Sequence, residues 1–420
     1  MPQNYLGYLA RLGHKGIHLG LGPTSRLLKK FDNPQRRYKS IIIGGTNGKG
    51  SVAAILSSIL GKTGKKIGLY TSPHLIDFRE RIRVNGTMIS QERLSYLTGL
   101  IREKSADGIT FFEFTTVLAF LHFYLEGVDI VVLEVGMGGR LDATNVVMPE
   151  VSVITNVSLE HKEYLGSNIE SIAREKGGII KRRGFCITGA TQPAVINVLH
   201  NICLQKRARL FTYGKDIAIR TQKGGVICYR GINKTFNNLQ LPLIGRHQVK
   251  NASLALAAVE VLVKKGLNVA DSAVYEGMKD VKWEGRLEIL CNNPQIVVDG
   301  AHNPAGISVL CRALTDYFTY KRLICVFATL SDKDSKGMLR RLSSIANHII
   351  LTRTRDSRGS EIDKLVTMAR NLGIHHDAVP QAKKAVEKAL FLAEDNDLIC
   401  ITGSIYLVGE IKKTFKFNLF

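Results

Sequence analysis

The chain has 420 residues, of which 45% are hydrophobic and 22% charged, and carries a formal net charge of +22. That length exceeds one ordinary domain and implies two or three, with apolar content enough for packed cores, which excludes a disordered chain. No run reaches the roughly 18 apolar residues of a membrane helix, so neither a spanning role nor a membrane partner is expected. The start, Met1-Pro2-Gln3-Asn4-Tyr5, lacks a signal-peptide pattern. Seven scattered cysteines, never spaced Cys-x-x-Cys, argue against a zinc site or a disulfide framework and point to the cytoplasm. The basic residues fall in short clusters such as Lys29-Lys30, Arg36-Arg37 and Lys181-Arg182-Arg183, without a zinc finger, an aromatic RNA signature or a basic tail. The excess charge therefore reads as attraction for small polyanions or as a solvated surface, with no specific nucleic-acid partner. A monomer is the default expectation.

Strands and helices alternate along the chain, the rhythm of a parallel sheet covered by helices. Ser40 to Ile43 predicts a buried strand ending in a glycine turn, and Ser51 to Leu60 a helix rich in Ala, Leu and Ile. Further strands are predicted at Ile67 to Tyr70, Asp129 to Val135 and Val151 to Val157 from their β-branched content. Leu254 to Val263 is apolar enough for a buried helix. A turn-prone stretch, Cys291-Asn292-Asn293-Pro294, suggests a boundary between domains 1–291 and 295–420. Beyond it Ile296 to Val298, Leu323 to Phe327, His348 to Leu351 and Leu398 to Ile401 are candidate strands of a smaller Rossmann-like α/β domain. It has no Gly-x-Gly-x-x-Gly, so dinucleotide binding is weakly supported.

Between the first strand and the first buried helix lies Gly44-Gly45-Thr46-Asn47-Gly48-Lys49-Gly50-Ser51. Glycines let backbone N–H groups converge on phosphate oxygens, and the helix N-terminus adds its positive dipole end. Lys49 can reach the outer phosphates of a nucleotide, and Ser51 stands where a magnesium ligand would be. An extra glycine, Gly50, separates Lys49 from Ser51, unlike the usual P-loop. Gly61-Lys62-Thr63 ends in the same way but follows a helix and reads as its C-terminus. Glu134 ends an apolar strand, where open α/β sheets present ligand groups, and a carboxylate there needs a cation or a partner such as Arg140. His161 alone reads as a capping or core histidine, and Lys176 as a solvated helix residue. Arg79, Arg81 and Arg83 read as the solvated face of a strand, with service to an anionic substrate as the alternative.

Gly-Thr-Asn-Gly-Lys-Gly-Ser, with the inserted glycine, resembles the phosphate loop of the Mur ligase superfamily, particularly folylpolyglutamate and dihydrofolate synthases. Seven further motifs follow in the same order. They are Thr71-Ser72-Pro73-His74-Leu75, Phe112-Glu113-Phe114, the run Glu134 to Asn145, Ala173 to Ile179, Trp283-Glu284-Gly285-Arg286, and the pair Asp299 to Pro304 and Gly403 to Tyr406. The resemblance implies a P-loop, Mur-ligase-like N-terminal domain with a parallel sheet and a smaller Rossmann-like C-terminal domain. It also implies ATP as co-substrate, bound by Thr46, Asn47, Gly48, Lys49, Gly50, Ser51, Asn251, Arg286 and Asp299. Magnesium (Mg2+) would be held by Ser51, Ser72, Glu134 and His161; a histidine ligand is unusual for so hard a cation. By the same resemblance Lys49, Glu134, His161 and Lys176 are catalytic, with Lys176 carbamylated, a reaction that needs an unprotonated amine.

Pterin contacts are implied at His18, Leu19, Thr110, Phe111, Phe112, Glu113, Leu141, Asp142 and Ala143, and glutamate contacts at His302 and Ser404. Aromatic rings suit a flat heterocycle and carboxylates its N–H groups, although core packing would equally explain Phe111 and Phe112. His18 departs from the acidic residue that the resemblance leads one to expect, and Gly177 from an alanine. The activity implied is ATP-dependent addition of L-glutamate to dihydropteroate, to tetrahydrofolate (poly)glutamates, or to both, through an acyl phosphate. A folylpolyglutamate synthase alone or another Mur-type amino-acid ligase are the alternatives. Only about 40 residues precede the phosphate loop, too few for the UDP-binding domain of a cell-wall ligase. A non-catalytic ATP switch or a basic NTPase would need Lys49 and Ser51 but not Glu134, His161, Lys176 and His302.

Overall fold

The computed structural model of this chain describes residues 5–13, 16, 19–106, 108–222 and 225–415. It is built around three sheets. The eight strands of the first are β1 (Lys39–Gly44), β2 (Ile67–Tyr70), β3 (Ile82–Val84), β4 (Thr87–Met88), β5 (Ile130–Glu134), β6 (Val151–Ile154), β7 (Phe185–Thr188) and β8 (Arg209–Thr212), in the spatial order β4-β3-β2-β5-β1-β6-β7-β8. From β2 to β8 the pairings are parallel; β3 and β4 add an antiparallel edge. The central strands read as continuous apolar runs because helices bury both faces of a parallel sheet. A small antiparallel sheet follows, β9 (Ala218–Thr221), β10 (Ile227–Arg230) and β11 (Thr235–Leu239). The last sheet contains β12 (Glu288–Asn292), β13 (Gln295–Val298), β14 (Leu323–Phe327), β15 (His348–Arg353), β16 (His376–Gln381) and β17 (Leu398–Thr402), ordered β12-β13-β17-β14-β15-β16.

The architecture is α/β, and the predicted strands and helices stand where the apolar runs put them. The uninterrupted alternation does not hold, since β9 to β11 form consecutive hairpins with no helix between them. These strands are short and polar on one face, so they lack the buried β-branched signal of the parallel strands. Glu260, buried in the helix Arg246–Lys264, ties this sheet down. It accepts hydrogen bonds from the Tyr229 hydroxyl at 2.6 Å and from the backbone N–H groups of Ile232, Asn233 and Lys234.

The chain divides into two compact units. The first holds the described residues up to His74, Arg79–Pro242 and Gln248–Val281; the second takes Leu75–Phe78, Leu243–His247 and the chain from Lys282 onward. The boundary expected at 291–295 is thus displaced. Asn293-Pro294 is the turn of the β12–β13 hairpin, so the turn signal marks a loop inside the second sheet. Among the described residues no helix is long and apolar enough to cross a membrane.

Candidate active site

In the first unit four strand ends lie side by side, and their registers assemble the site. Ile43 of β1 is paired with Glu134 of β5, Tyr70 of β2 with Leu133 of β5, and Gly44 of β1 with Ile154 of β6. The glycine loop leaving β1 therefore emerges between Glu134 on one side and Thr155-Asn156 on the other, at the carboxyl ends where open sheets bind ligands. The neighbours hold the loop's shape. Thr46 N–H donates to Asn156 O at 3.0 Å, and Asn47 N–H to the Asn156 side-chain oxygen at 3.0 Å. Thr155 Oγ1 and Asn156 Nδ2 both donate to Asn47 O, at 2.6 and 3.0 Å. Lys49 folds back to donate to Gly45 O and Thr46 O, each at 3.1 Å. Gly50 and Ser51 lie buried in the first turn of the helix Lys49–Gly61, which ends at the Gly61-Lys62 C-terminus as the sequence predicts.

Gly48 caps that helix with φ of 84°, and an added Cβ would sit 2.6 Å from Asn251 Oδ1. Asn251 is buried and donates to Gln248 Oε1 at 3.1 Å, so it has little room to retreat. Gly48→Ala is expected to raise the Kd for ADP about 5- to 150-fold, because backbone strain of about 1–3 kcal/mol falls on the loop itself. Nucleotide titration of the folded variant checks this, and an unchanged Kd would show that the loop does not bind phosphate in this conformation.

Glu134 is 6% exposed and accepts from Ser72 N–H at 3.1 Å, while Arg140, the partner weighed for it, instead pairs with Glu175 at 2.9 Å. Ser51 is itself buried, in the first helical turn beside the loop. A buried carboxylate and a hydroxyl beside a phosphate loop are hard oxygen donors of the kind magnesium takes, so this part of the expected ligand set fits. His161, at φ of 45°, begins the turn whose carbonyl accepts from Tyr164 and Leu165 N–H.

Lys176 differs most from its sequence reading. It is 1% exposed, not solvated, and lies 2.7 Å from Glu160 Oε1. Burial pulls its ammonium below the ordinary lysine range, with Lys49 adding to the effect and Glu160 opposing it. Burial alone would raise the Glu160 carboxyl, but the Lys176 and Lys49 charges outweigh it and hold it at about 2. Glu160 escaped the sequence reading because nothing local distinguishes it from a loop glutamate; only the turn after β6 brings it to Lys176. Gly177 does not loosen the helix Ile169–Gly177. An alanine Cβ there would lie 2.5 Å from Ile202 Cδ1, so the glycine lets the helix Pro193–Lys206 pack closely.

Thr110 and Glu113 form a capping box at the start of the helix Phe111–Leu125, and Glu113 Oε1 is buried with no hydrogen-bond partner among the described residues. Phe111 and Phe112 are half-buried. Phe111 lies under the guanidinium of Arg81, 5.3 Å from ring centroid to carbon, within cation–π range. Arg81 corrects the solvated-strand reading: it is 6% exposed and donates to His74 Nδ1 at 2.8 Å. The chain turns in a 3-10 segment, Phe78–Arg81, so period-two alternation begins only at Ile82. Both Asp142 oxygens are engaged, one by Met137 N–H and one by Thr144 N–H and hydroxyl. Burial nevertheless raises its pKa. Gly20 N–H donates to Leu141 O at 3.2 Å, which ties the segment after Leu19 to Leu141-Asp142-Ala143. His18 lies outside the described residues.

In the second unit Asp299 is buried after β13, and its oxygens accept from Leu287 and Ala301 N–H. Arg286 is half-buried; a Cβ on Gly300 would be 3.2 Å from its Nη1. His302 Nδ1 is 2.9 Å from Gly300 O, and Ser404 caps the helix Ile405–Thr414 after β17. Asp299, His302 and Ser404 again follow the carboxyl ends of parallel strands.

A phosphate-loop sheet followed by a second parallel sheet, each with its polar residues at the carboxyl strand ends, defines a two-unit nucleotide-binding α/β protein. The family models agree, that for the Mur ligase middle domain matching residues 43–259 and that for the Mur ligase, glutamate ligase domain matching residues 285–405. A dihydrofolate synthase/folylpolyglutamate synthase from Bacillus subtilis (strain 168) is 32% identical over 96% of this chain and 96% of its own length. A Mycobacterium tuberculosis folylpolyglutamate synthase solved with ADP and AMPPCP superposes with a TM-score of 0.92 at 32% identity, covering 99% of both chains. Escherichia coli FolC in complex with DHPP and ADP gives 0.90 at 30% identity, over 98% of this chain and 97% of that one. The chain belongs to the dihydrofolate synthase/folylpolyglutamate synthase family of Mur ligases.

Proposed function

We propose that this chain is an ATP-dependent ligase that joins L-glutamate to dihydropteroate and to tetrahydrofolate glutamates. The observation that carries the reading is the phosphate loop locked by Thr155 and Asn156, with Lys49 and buried Glu134 beside it. In the reaction, the pterin substrate's carboxylate attacks the γ-phosphorus of ATP and ADP leaves, giving an acyl phosphate. The glutamate amine then attacks the acyl carbon and expels phosphate, losing a proton. Lys49 and the loop N–H groups neutralise charge that grows on the transferred phosphoryl group, and alignment supplies much of the remaining rate.

Magnesium, with Glu134, Ser51, Ser72 and His161 as its proposed holders, would further neutralise phosphate charge when bound. Lys176 is proposed to be carbamylated, a reading supported by burial that disfavours its ammonium. Asn251, Arg286 and Asp299 are assigned to the nucleotide, and His302 and Ser404 to the glutamate. His18, Leu19, Thr110, Phe111, Phe112, Glu113, Leu141, Asp142 and Ala143 are assigned to the pterin. The unpartnered Glu113 Oε1 suits an amino or ring N–H donor, since a buried lone acceptor costs about 1–3 kcal/mol. We further read the protein as a cytoplasmic monomer acting on small molecules, with neither nucleic acid nor membrane as partner.

The test is steady-state phosphate release with ATP, L-glutamate and each acceptor in turn. Turnover is expected with both dihydropteroate and tetrahydrofolate. His18, in place of an acidic residue, favours the narrower reading, a folylpolyglutamate synthase alone. Activity with tetrahydrofolate but none at saturating dihydropteroate would establish that narrower reading.

A further inference from the structure

At the opposite, amino ends of the second unit's strands, His348 opens β15 and His375 immediately precedes β16. Their Nδ1 atoms are 2.8 Å apart and their ring centroids 4.5 Å apart. His348 Nε2 lies 2.9 Å from Asp377 Oδ2, which also receives Lys388 Nζ at 2.8 Å. Flanked by the Lys388 ammonium, Asp377 accepts from His348, which then carries its proton on Nε2. The His348 Nδ1 lone pair then faces His375 Nδ1, and one proton occupies the space between them.

We propose that His348 and His375 form a chelating site for a divalent transition-metal ion of tetragonal preference, copper(II) or nickel(II). The metal takes both Nδ1 lone pairs in place of the shared proton. His375 is exposed, so that proton passes to its Nε2 or, where the pair carries an additional one, to solvent. With metal–nitrogen bonds of about 2.0–2.1 Å, two cis nitrogens of a square-planar ion lie about 2.9 Å apart and those of a tetrahedral ion about 3.4 Å. The observed 2.8 Å is close to the former. The frame is rigid, because β15 and β16 are paired and Ile349 N–H donates to His375 O at 3.1 Å. A carboxylate on the far nitrogen of a ligating histidine fixes its tautomer and raises its basicity, which is the role of Asp377 here. Among the described residues no third histidine, cysteine or carboxylate completes a set of three, so the remaining positions are open to water.

The test uses the full chain without an affinity tag, titrated with CuCl2 against a competing chelator and followed by electron paramagnetic resonance, with NiCl2 in parallel. Wild type is expected to bind one more tight equivalent of copper than His375→Ala, with superhyperfine coupling to two nitrogens. Asp377→Asn should weaken that equivalent about 10–100-fold. Metal-free His375→Ala should keep wild-type ligation and an unchanged circular dichroism spectrum, because His375 is a surface residue at the amino ends of the parallel strands in a sheet whose carboxyl ends lead to Asp299, His302 and Ser404. Equal stoichiometry and identical nitrogen coupling in wild type and His375→Ala would overturn the proposal.

Discussion

Lys49→Ala is expected to abolish ligation while leaving the fold standing. The loop does not depend on this side chain for its shape. Its turn is held by Thr155, Asn156 and the backbone of Thr46 and Asn47, whereas Lys49 only covers two loop carbonyls, Gly45 O and Thr46 O. Removing it exposes those carbonyls to water, at a cost on the order of a single hydrogen bond, about 0.5–1.5 kcal/mol. The effect on catalysis is far larger, because a preorganised donor aimed at developing charge is worth about 10²–10³ in kcat, and a full cation more. Phosphate release with saturating ATP, glutamate and tetrahydrofolate should fall by at least that factor, with a melting curve within a few degrees of wild type. Near-normal turnover in a folded variant would sink the assignment of Lys49 to the phosphates.

The Lys176→Ala variant should lose both stability and activity, and a second substitution separates the two. In the uncarbamylated chain, truncation leaves Glu160 with the Lys49 charge but without Lys176, which held it at 2.7 Å, and breaking a buried pair costs about 3–5 kcal/mol. Lys176→Ala/Glu160→Gln removes the stranded charge and should recover most of that loss in thermal melts. Its turnover should stay depressed at least about 10²-fold, on the view that Lys176 also serves the phosphate-transfer chemistry. Acetate or formate should restore part of the rate if the missing group is a carbamate, since both supply a carboxylate small enough for the vacated space. Recovery of turnover along with stability in the double variant would make Lys176 a purely structural residue.

Much of this molecule was legible because its signals are local. A run such as Ser40-Ile41-Ile42-Ile43 can only be a buried strand, and a glycine-rich turn before an Ala- and Leu-rich helix carries its own geometry. The motifs from Thr71 to Tyr406 in family order named the fold, because those spacings are themselves a record of the topology. The strands β9 to β11 stayed hidden, being exposed on one face and stabilised by Glu260 from a helix 26 to 31 residues further along. The unit boundary was drawn at Asn293-Pro294 for the same reason: a hairpin turn and a linker look alike until pairing partners are known.

What the sequence determined by itself is the chemistry available: a phosphate loop with Lys49 and Ser51, a carboxylate ending an apolar strand, and a lysine at position 176. What only the tertiary structure decided is which of those groups are buried and which face one another. Burial turned Lys176 and Arg81 from expected surface cations into buried groups partnered by Glu160 and by His74 and Phe111. Strand register set Glu134 beside Ile43, and the turn after β6 delivered Glu160. The physical reason is that a charge's free energy depends on the dielectric and the partners around it, and both are assembled from residues distant in sequence.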